Sequence, residues 1–362
     1  MFSNSTRYLT LAQQVARYLE DDIRRGVLRE SLPGERKLVE KLQVSRATIR
    51  AATKILRQKH LIQTSRGSHS RIGARVRQET NRRPDRTIGM ILPRPVGEIQ
   101  PYSTLVDSLR ALLYPNGFRL DTHHHKNFYS LRPASALERL VGRYDCDGWI
   151  LASASRACQM WFCTQGLPTV LTGTAHEGVA LPCVDIDMFA TSRHAANALL
   201  RHGHRRITLL INESDWAGHR RTEEGFLDAI RCHGGEATGQ VLKHRGDIAG
   251  LERLITRILA VRVPPTALFV VNPLHYLSVT AILADRGVKV PRDISLVCRD
   301  DDVCLRHLPV EPSRYVCDPQ ARAKELFSAL MRTMKAGAEN RYVKSVLMLP
   351  TFFQGASIAV RR

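Results

Sequence analysis

Between positions 41 and 78 the chain has no aspartate or glutamate, although the same stretch holds ten lysines and arginines. Long apolar runs are also missing. No segment approaches the roughly 18 consecutive apolar residues of a membrane-spanning helix. The opening MFSNSTRYLT has neither an apolar core nor a small-residue cleavage site, so no secretory signal is expected. The eight cysteines all fall between Cys146 and Cys317, and none forms a CxxC pair. Cys158 and Cys163 stand too isolated for a zinc ribbon. Scattered thiols without a framework fit a reducing cytoplasm. Signatures of enzymes are absent as well. There is no GxSxG, no phosphate-binding loop, no HExxH and no GxGxxG between a strand and a helix.

What is present is positive charge. The 362 residues carry a formal net charge of +20. Residues 1–80 hold 17 basic and 7 acidic side chains, so half of the excess sits in under a quarter of the chain. A solvated surface ordinarily mixes both signs, and a one-sign field of this kind predicts a polyanionic partner, above all nucleic acid. Length allows two or three domains. An apolar content of 43% is enough for substantial cores.

The first 72 residues predict three helices and a hairpin. Leu11, Val15, Leu19 and Ile23 recur every four residues over 9–25, with Gly26 as a stop. After Pro33 and Gly34, the residues Leu38, Val39 and Leu42 make the buried side of a short second helix. Ser45 is placed to cap a third, whose apolar stripe is Ile49, Ala52, Ile55 and Leu56. Arg46, Arg50, Lys54 and Arg57 fall on its other side. LIQTSRGSHSRI (61–72) then reads as two short strands around a turn at Gly67. This is the plan of a winged helix-turn-helix. Residues 75–86, polar, basic and interrupted by Pro84, read as a linker.

From Thr87 the texture becomes α/β. Strands are expected at TIGMILP (87–93), FRLDTH (118–123), DGWILAS (147–153), LPTVLTG (167–173), RITLLI (206–211), TALFVV (266–271), DISLVC (293–298) and around 344–348. Helices are expected at 103–114, 134–143, 189–202, 221–233, 275–286 and 319–336. Alternating strands and helices imply mostly parallel sheets. The expected organisation is a DNA-binding domain over 1–74, a linker over 75–86, and a two-lobed α/β domain over 87–362.

LPGERKLVEKLQVSRATIRAATKILRQKHLI (32–62) resembles the DNA-binding domain of GntR-family regulators, in which LPSER is followed at this distance by SR-x-TVR and GLI. The resemblance implies that Arg46 and Arg50 reach base edges or phosphates in the major groove. Thr48 would contact a phosphate or a thymine methyl, and Arg36 would fix register on the backbone. Arg66 and Gly67 at the wing tip would enter the minor groove. The chain departs from the pattern at Gln43 and His60, where the family has glycine, and at Ala51.

DIDMFATSRHAANALLRHGHRRITLLI (185–211) and PTALFVVNPLHYLSVTAILADRGVKVPRDISLVCRDDD (265–302) resemble the ligand-binding domain of LacI/GalR regulators. That domain shares its fold with periplasmic sugar-binding proteins. The same two domains in the same order occur in arabinose-repressor-like proteins. The resemblance implies a ligand held between two lobes, at the carboxyl ends of the strands. It points to Asn272, Asp300 and Arg220 as effector ligands, with Arg221 as the alternative to Arg220. Tyr102 and Trp216 are candidate stacking surfaces. Pro273 and Arg299 depart from the family near the cleft, and Arg299 would suit an acidic group.

The run His123–His125 cannot place three side chains on one side of a strand, so neither a metal nor a cofactor is expected. The resulting expectation is a cytoplasmic, nucleoid-associated homodimeric repressor that binds operator DNA under the control of a sugar-like effector, with no membrane partner and no catalytic residues. An enzyme carrying a DNA-binding domain and a nonspecific architectural protein are the alternatives.

Overall fold

The computed structural model describes residues 10–24, 28, 31–63, 70–72, 86–93, 102–235, 237–336 and 344–361. The chain divides into two compact units, Met1–Asp85 and Arg86–Arg362. Gly26, Arg66, Gly67, Pro84 and nearly all of the expected linker lie outside the described residues.

The first unit contains α1 (Leu11–Arg24), α2 (Glu35–Leu42), α3 (Arg46–Gln58) and an antiparallel pair, β1 (Ile62–Gln63) with β2 (Arg71–Ile72). Its core joins Val15, Leu19 and Ile23 of α1 to Leu38 of α2 and to Ile49, Ala52 and Leu56 of α3, closed by Ile62 and Ile72 of the hairpin. Leu11 is the exception to the expected stripe: it stands at the first turn and is 53% exposed. Ser45 caps α3, its hydroxyl accepting from the Thr48 N–H at 3.1 Å. The far end of α3 closes with the Leu61 N–H donating to the Leu56 carbonyl and the His60 N–H to Arg57. That pairing puts His60 in the left-handed region at φ 57°, and Gln43 after α2 sits there too at φ 52°. These are the two positions where the GntR pattern has glycine, so both carry the expected backbone strain.

The second unit holds two six-stranded sheets. The first has the order β13-β7-β6-β5-β3-β4, all parallel. Its strands are β3 (Arg86–Leu92), β4 (Phe118–His124), β5 (Gly148–Ala152), β6 (Thr169–Thr172), β7 (Cys183–Ile186) and β13 (Ser345–Met348). The second has the order β14-β12-β11-β10-β8-β9. It is formed by β8 (Arg206–Asn212), β9 (Thr238–His244), β10 (Ala267–Val270), β11 (Ser295–Cys298), β12 (Ser313–Val316) and β14 (Thr351–Phe353), and only the β12–β14 pair is antiparallel.

Strands such as β5 and β10 are buried at every position, as expected when helices cover both faces of a parallel sheet. The two faces follow the period of two. Ile88, Met90 and Leu92 enter one core with Ile150 and Val170, whereas Ile91 enters another with Trp149, Leu151 and Leu171. In the second sheet Ile207, Leu209 and Ile211 pack with Phe269, while Leu210 packs with Leu268 and Val270.

The helices are α4 (Tyr102–Leu113), α5 (Ala134–Arg143), α6 (Arg156–Gln165), α7 (Met188–Arg201), α8 (Ala217–His233), α9 (Ile248–Ala260), α10 (Pro273–Asp285) and α11 (Pro319–Ala336). Helix α11 returns to the first lobe, where Ala323, Leu326 and Leu330 join the core of β3 and β5. The chain therefore crosses between lobes three times: at Asp187, between β12 and α11, and between β13 and β14. Helices α6 and α9 and strands β7, β9, β12 and β14 were not among the expected elements. Strands β7, β12 and β14 span three or four residues each, too short for a periodic signal.

Helix α8 begins four residues earlier than expected. The Trp216 carbonyl accepts from the N–H groups of both His219 and Arg220, so Arg220 and Arg221 lie inside the helix. The eight cysteines are free. Among the described residues no helix is long and apolar enough to cross a membrane.

Candidate functional site

The first candidate site is the outer side of α3. Arg46, Arg50, Lys54 and Arg57 are all exposed, while Ile49, Ala52 and Leu56 anchor the opposite side. The helix is thus held from behind and presents a row of cations. Arg50 is not idle: its Nε donates to both carboxylate oxygens of Glu35 at 3.1 Å, which ties α3 to the first residue of α2. Arg36 leans on Glu40 one turn away at 3.5 Å, with both side chains exposed. Thr48 is half-buried, and its hydroxyl meets that of Ser45 at 2.8 Å, so it belongs to the helix cap. Glu35 was missed in the sequence because LPGER draws attention to its arginine and not to the acid beside it.

The second candidate site lies in the larger unit, where the carboxyl ends of both sheets meet. From the first lobe come Tyr102, Ser153, Thr174, Asp185 and Arg322. The Tyr102 hydroxyl bonds the Ser153 hydroxyl at 2.7 Å. Asp185 is 2% exposed and accepts from the Thr174 hydroxyl at 2.6 Å and from Arg322 at 3.4 Å. Burial pushes its carboxyl up, while Arg322 and Thr174 pull it down.

From the second lobe come Arg299 and Asp300 at the end of β11. Arg299 Nε and Nη2 donate to the two carboxylate oxygens of Asp300, both at 2.8 Å, and Nη1 donates to the Thr222 hydroxyl at 2.8 Å. The lobes face each other closely. The Asp300 charge reaches Tyr102, and that of Asp185 reaches Arg299. At Gly218, near the start of α8, a Cβ would lie 3.1 Å from the Thr174 hydroxyl of the other lobe.

The remaining expected residues surround this centre. Trp216 precedes α8, half-buried, with its ring 5.3 Å from that of His219. His219 is buried, bonds Ser214 at 2.6 Å, and has its pKa pulled down to about 4 by burial and by the Arg299 charge. Arg220 faces His176 of the first lobe closely enough to lower its pKa, after the larger effect of burial. Arg221 turns away: it pairs with Glu224 and lies over the Phe189 ring at 4.8 Å. Of the two arginines, Arg220 is the one whose charge reaches the first lobe.

Asn272 caps α10, its Oδ1 accepting from the Leu274 N–H at 2.8 Å. Since Val270 pairs with Cys298, Asn272 and Asp300 stand two residues beyond the same register position. Arg299 differs from its expected role. All three of its donor nitrogens are engaged inside the lobe, so it orients Asp300 and is not a free cation for an acidic group. No sequence pattern singled out Thr174, Thr222, His176, His219 or Arg322, which are far apart along the chain.

The histidine run is used structurally. His123 packs on Tyr144 with ring centroids 4.4 Å apart, and His125 Nδ1 accepts from the Asn127 N–H at 3.2 Å. Among the described residues no cluster of His, Cys, Asp and Glu has the arrangement of a metal site.

Residues 11–72 match the family model of bacterial regulatory proteins, gntR family, and residues 196–358 match that of the periplasmic binding protein-like domain. The chain is 28% identical over 130 residues to the HTH-type transcriptional regulator CelR of Thermobifida fusca, a match covering 34% of this chain and 37% of that protein. It is 26% identical over 313 residues to the arabinose metabolism transcriptional repressor of Geobacillus stearothermophilus, covering 82% of each. Among solved structures, a LacI family transcriptional regulator from Enterococcus faecium with bound ribose superposes with a TM-score of 0.65 at 18% identity, covering 76% of this chain and 100% of that one. That likeness establishes the fold of the larger unit: two lobes of the periplasmic-binding-protein type.

Proposed function

Starting from a GntR-type helix-turn-helix domain joined in one chain to a periplasmic-binding-protein-like domain, we propose that this protein is a sequence-specific transcriptional repressor. Its affinity for operator DNA is controlled by a small molecule, a sugar or sugar derivative, held between the two lobes. The DNA-binding domain spans 1–74 and the effector domain 87–362, joined by a linker over 75–86. The protein acts as a homodimer on a palindromic operator, in the cytoplasm at the nucleoid.

The observation that carries this reading is the row of exposed cations on α3, backed by a buried apolar stripe, within a stretch that has no acidic residue. A rigid helix with long cationic side chains near its start is what major-groove recognition requires. Arg46 and Arg50 read base edges, and Arg36 and Thr48 hold phosphates. Arg66 and Gly67 are assigned to the minor groove. In the larger unit Asp300, Asn272 and Arg220 bind effector hydroxyls, with Tyr102 and Trp216 as apolar walls. The sugar reading is supported by two relatives, an arabinose metabolism repressor and a ribose-bound regulator.

Selection of bound duplexes from a random pool, at about physiological salt so that nonspecific phosphate binding is suppressed, tests the proposal. Enrichment of one symmetric sequence, with its binding altered by a sugar, supports it. Binding that only fades with rising salt and enriches nothing, with or without a metabolite mixture, overturns it.

A further inference from the structure

Asp185 and Arg322 stand beside two of the crossings between lobes. Asp185 is two residues before the first crossing. Arg322 lies in the first turn of α11, where its main-chain N–H donates to the Asp318 carbonyl at 3.1 Å. Their pair reverses the one at the end of β11. There the arginine is the deeper member and the aspartate the more exposed. Here the side chains of Arg322 and Asp185 are 11% and 2% exposed. Each lobe thus turns an opposite charge toward the cleft, Asp300 from the second and Arg322 from the first. Both charges reach the same two neighbours, Tyr102 and Cys317.

The two arginines are not equally satisfied. Arg299 has all three nitrogens engaged. Arg322 makes one side-chain hydrogen bond, from Nη2 to Asp185 Oδ1 at 3.4 Å, and the other oxygen of Asp185 is taken by Thr174 at 2.6 Å. The Nε of Arg322 is enclosed and has no partner. Its Nη1 also has no partner among the described residues, but it is not enclosed and reaches solvent. Taking a cation out of water is offset only by close pairing and by use of its N–H groups. One long bond leaves this guanidinium undercompensated.

We propose that Arg322 is an effector-binding residue and that the effector is a sugar acid: its carboxylate accepts from Arg322 Nη1, while its hydroxyls donate to Asp300. The inference rests on the sugar-sensor reading above and adds the charge of the ligand. A hydroxyl oxygen would also accept from Nη1, but it brings no charge to offset that of the guanidinium. A carboxylate does, and charge-assisted bonds of this kind are the stronger ones. The acids nearby, Asp185 and Asp300, favour a monoanion over a phosphate dianion. The hydroxyls of Tyr102 and Ser153 use one proton in the bond between them and leave the other for the ligand.

Calorimetry on the full-length protein at pH 7 tests this with matched pairs: glucose and glucuronate, galactose and galacturonate, ribose and ribonate, arabinose and arabinonate. At least one acid is expected to bind, and more tightly than its neutral partner. Arg322→Met is expected to weaken that acid about thirtyfold or more, the loss that follows truncation of a buried charged partner, and to change the neutral sugar less than threefold. The double change Asp185→Asn with Arg322→Met removes both charges together, so that neither is left unpaired, and should show the same selective loss. A neutral sugar that binds more tightly than its acid would overturn this inference and leave the sugar-sensor reading standing. Equal loss for acid and neutral sugar in the double variant would make Arg322 a structural residue and overturn it as well. Binding of no compound in the panel would overturn both readings.

Discussion

Arg299 grips the carboxylate of its own chain neighbour, Asp300, through two hydrogen bonds of 2.8 Å, and spends its third nitrogen on Thr222. The arginine is 7% exposed and the aspartate 29%, so the acid meets the cleft with its orientation already set. Such preorganisation lowers the cost of ordering a ligand.

Removing the acid uncovers a buried cation. Asp300→Ala is expected to destabilise the larger unit by about 3 kcal/mol, as breaking a buried pair from one side does. It should abolish the sugar response while leaving operator affinity intact. Urea unfolding and ligand titration, compared with Asp300→Asn, check this. An unchanged titration would remove Asp300 from the site.

The recognition helix is tested without touching its core. Arg46→Ala together with Arg50→Ala should abolish specific DNA binding and flatten the salt dependence by about one unit for each phosphate that is no longer neutralised. Effector binding and the melting temperature should barely change, since both side chains are exposed. Anisotropy with a selected operator measures the effect, and retained specificity would sink the assignment.

Gln43 and His60 occupy left-handed conformations without the freedom of glycine. Gln43→Gly is expected to stabilise the first unit by about 0.5–1 kcal/mol, because relief of the strain outweighs the added chain entropy. A lowered thermal midpoint would show that the turn is not strained.

Gly225 lets α8 lie against α7: a Cβ there would stand 2.2 Å from the Phe189 carbonyl oxygen. Gly225→Ala should therefore force the helices apart and cost about 1–3 kcal/mol. Because Arg220 rides on α8, effector affinity should fall with it. Chemical denaturation alongside ligand titration separates the two effects, and a variant as stable as the parent would show that the helices part freely.

His204 is 0% exposed, with Nδ1 at 2.9 Å from the Thr266 hydroxyl and Nε2 at 3.1 Å from the Ala359 carbonyl. The neutral tautomer carrying its proton on Nε2 satisfies both. Burial pulls its pKa down to about 4, below the unfolded value of about 6.5. The unfolded chain therefore binds the proton first. The contribution of His204 is complete above about pH 6.5 and is lost at about 1.4 kcal/mol per pH unit as pH falls toward 4. Denaturation at pH 7 and pH 5 should show this loss. His204→Gln should flatten it, and an undiminished slope in that variant would refute the assignment.

The sequence by itself determined what local periodicity and charge can encode. Ser45, Ile49, Ala52 and Leu56 specify a capped helix with one apolar side, and the missing acids around it specify the partner's charge. Runs such as GWILA and ALFV specify strands covered on both faces. Only tertiary structure decided which distant residues meet. Asp185 and Arg322 pair across 137 positions, and Thr222 meets Arg299 across 77. Arg220 is separated from Arg221 only by the packing of α8 on α7. Crossings between lobes set the first of these encounters, and the parallel order of the second sheet sets the other. Parallel strands contact partners far away in the chain, and no local pattern carries the register of a neighbour that the chain reaches only after another lobe has been built.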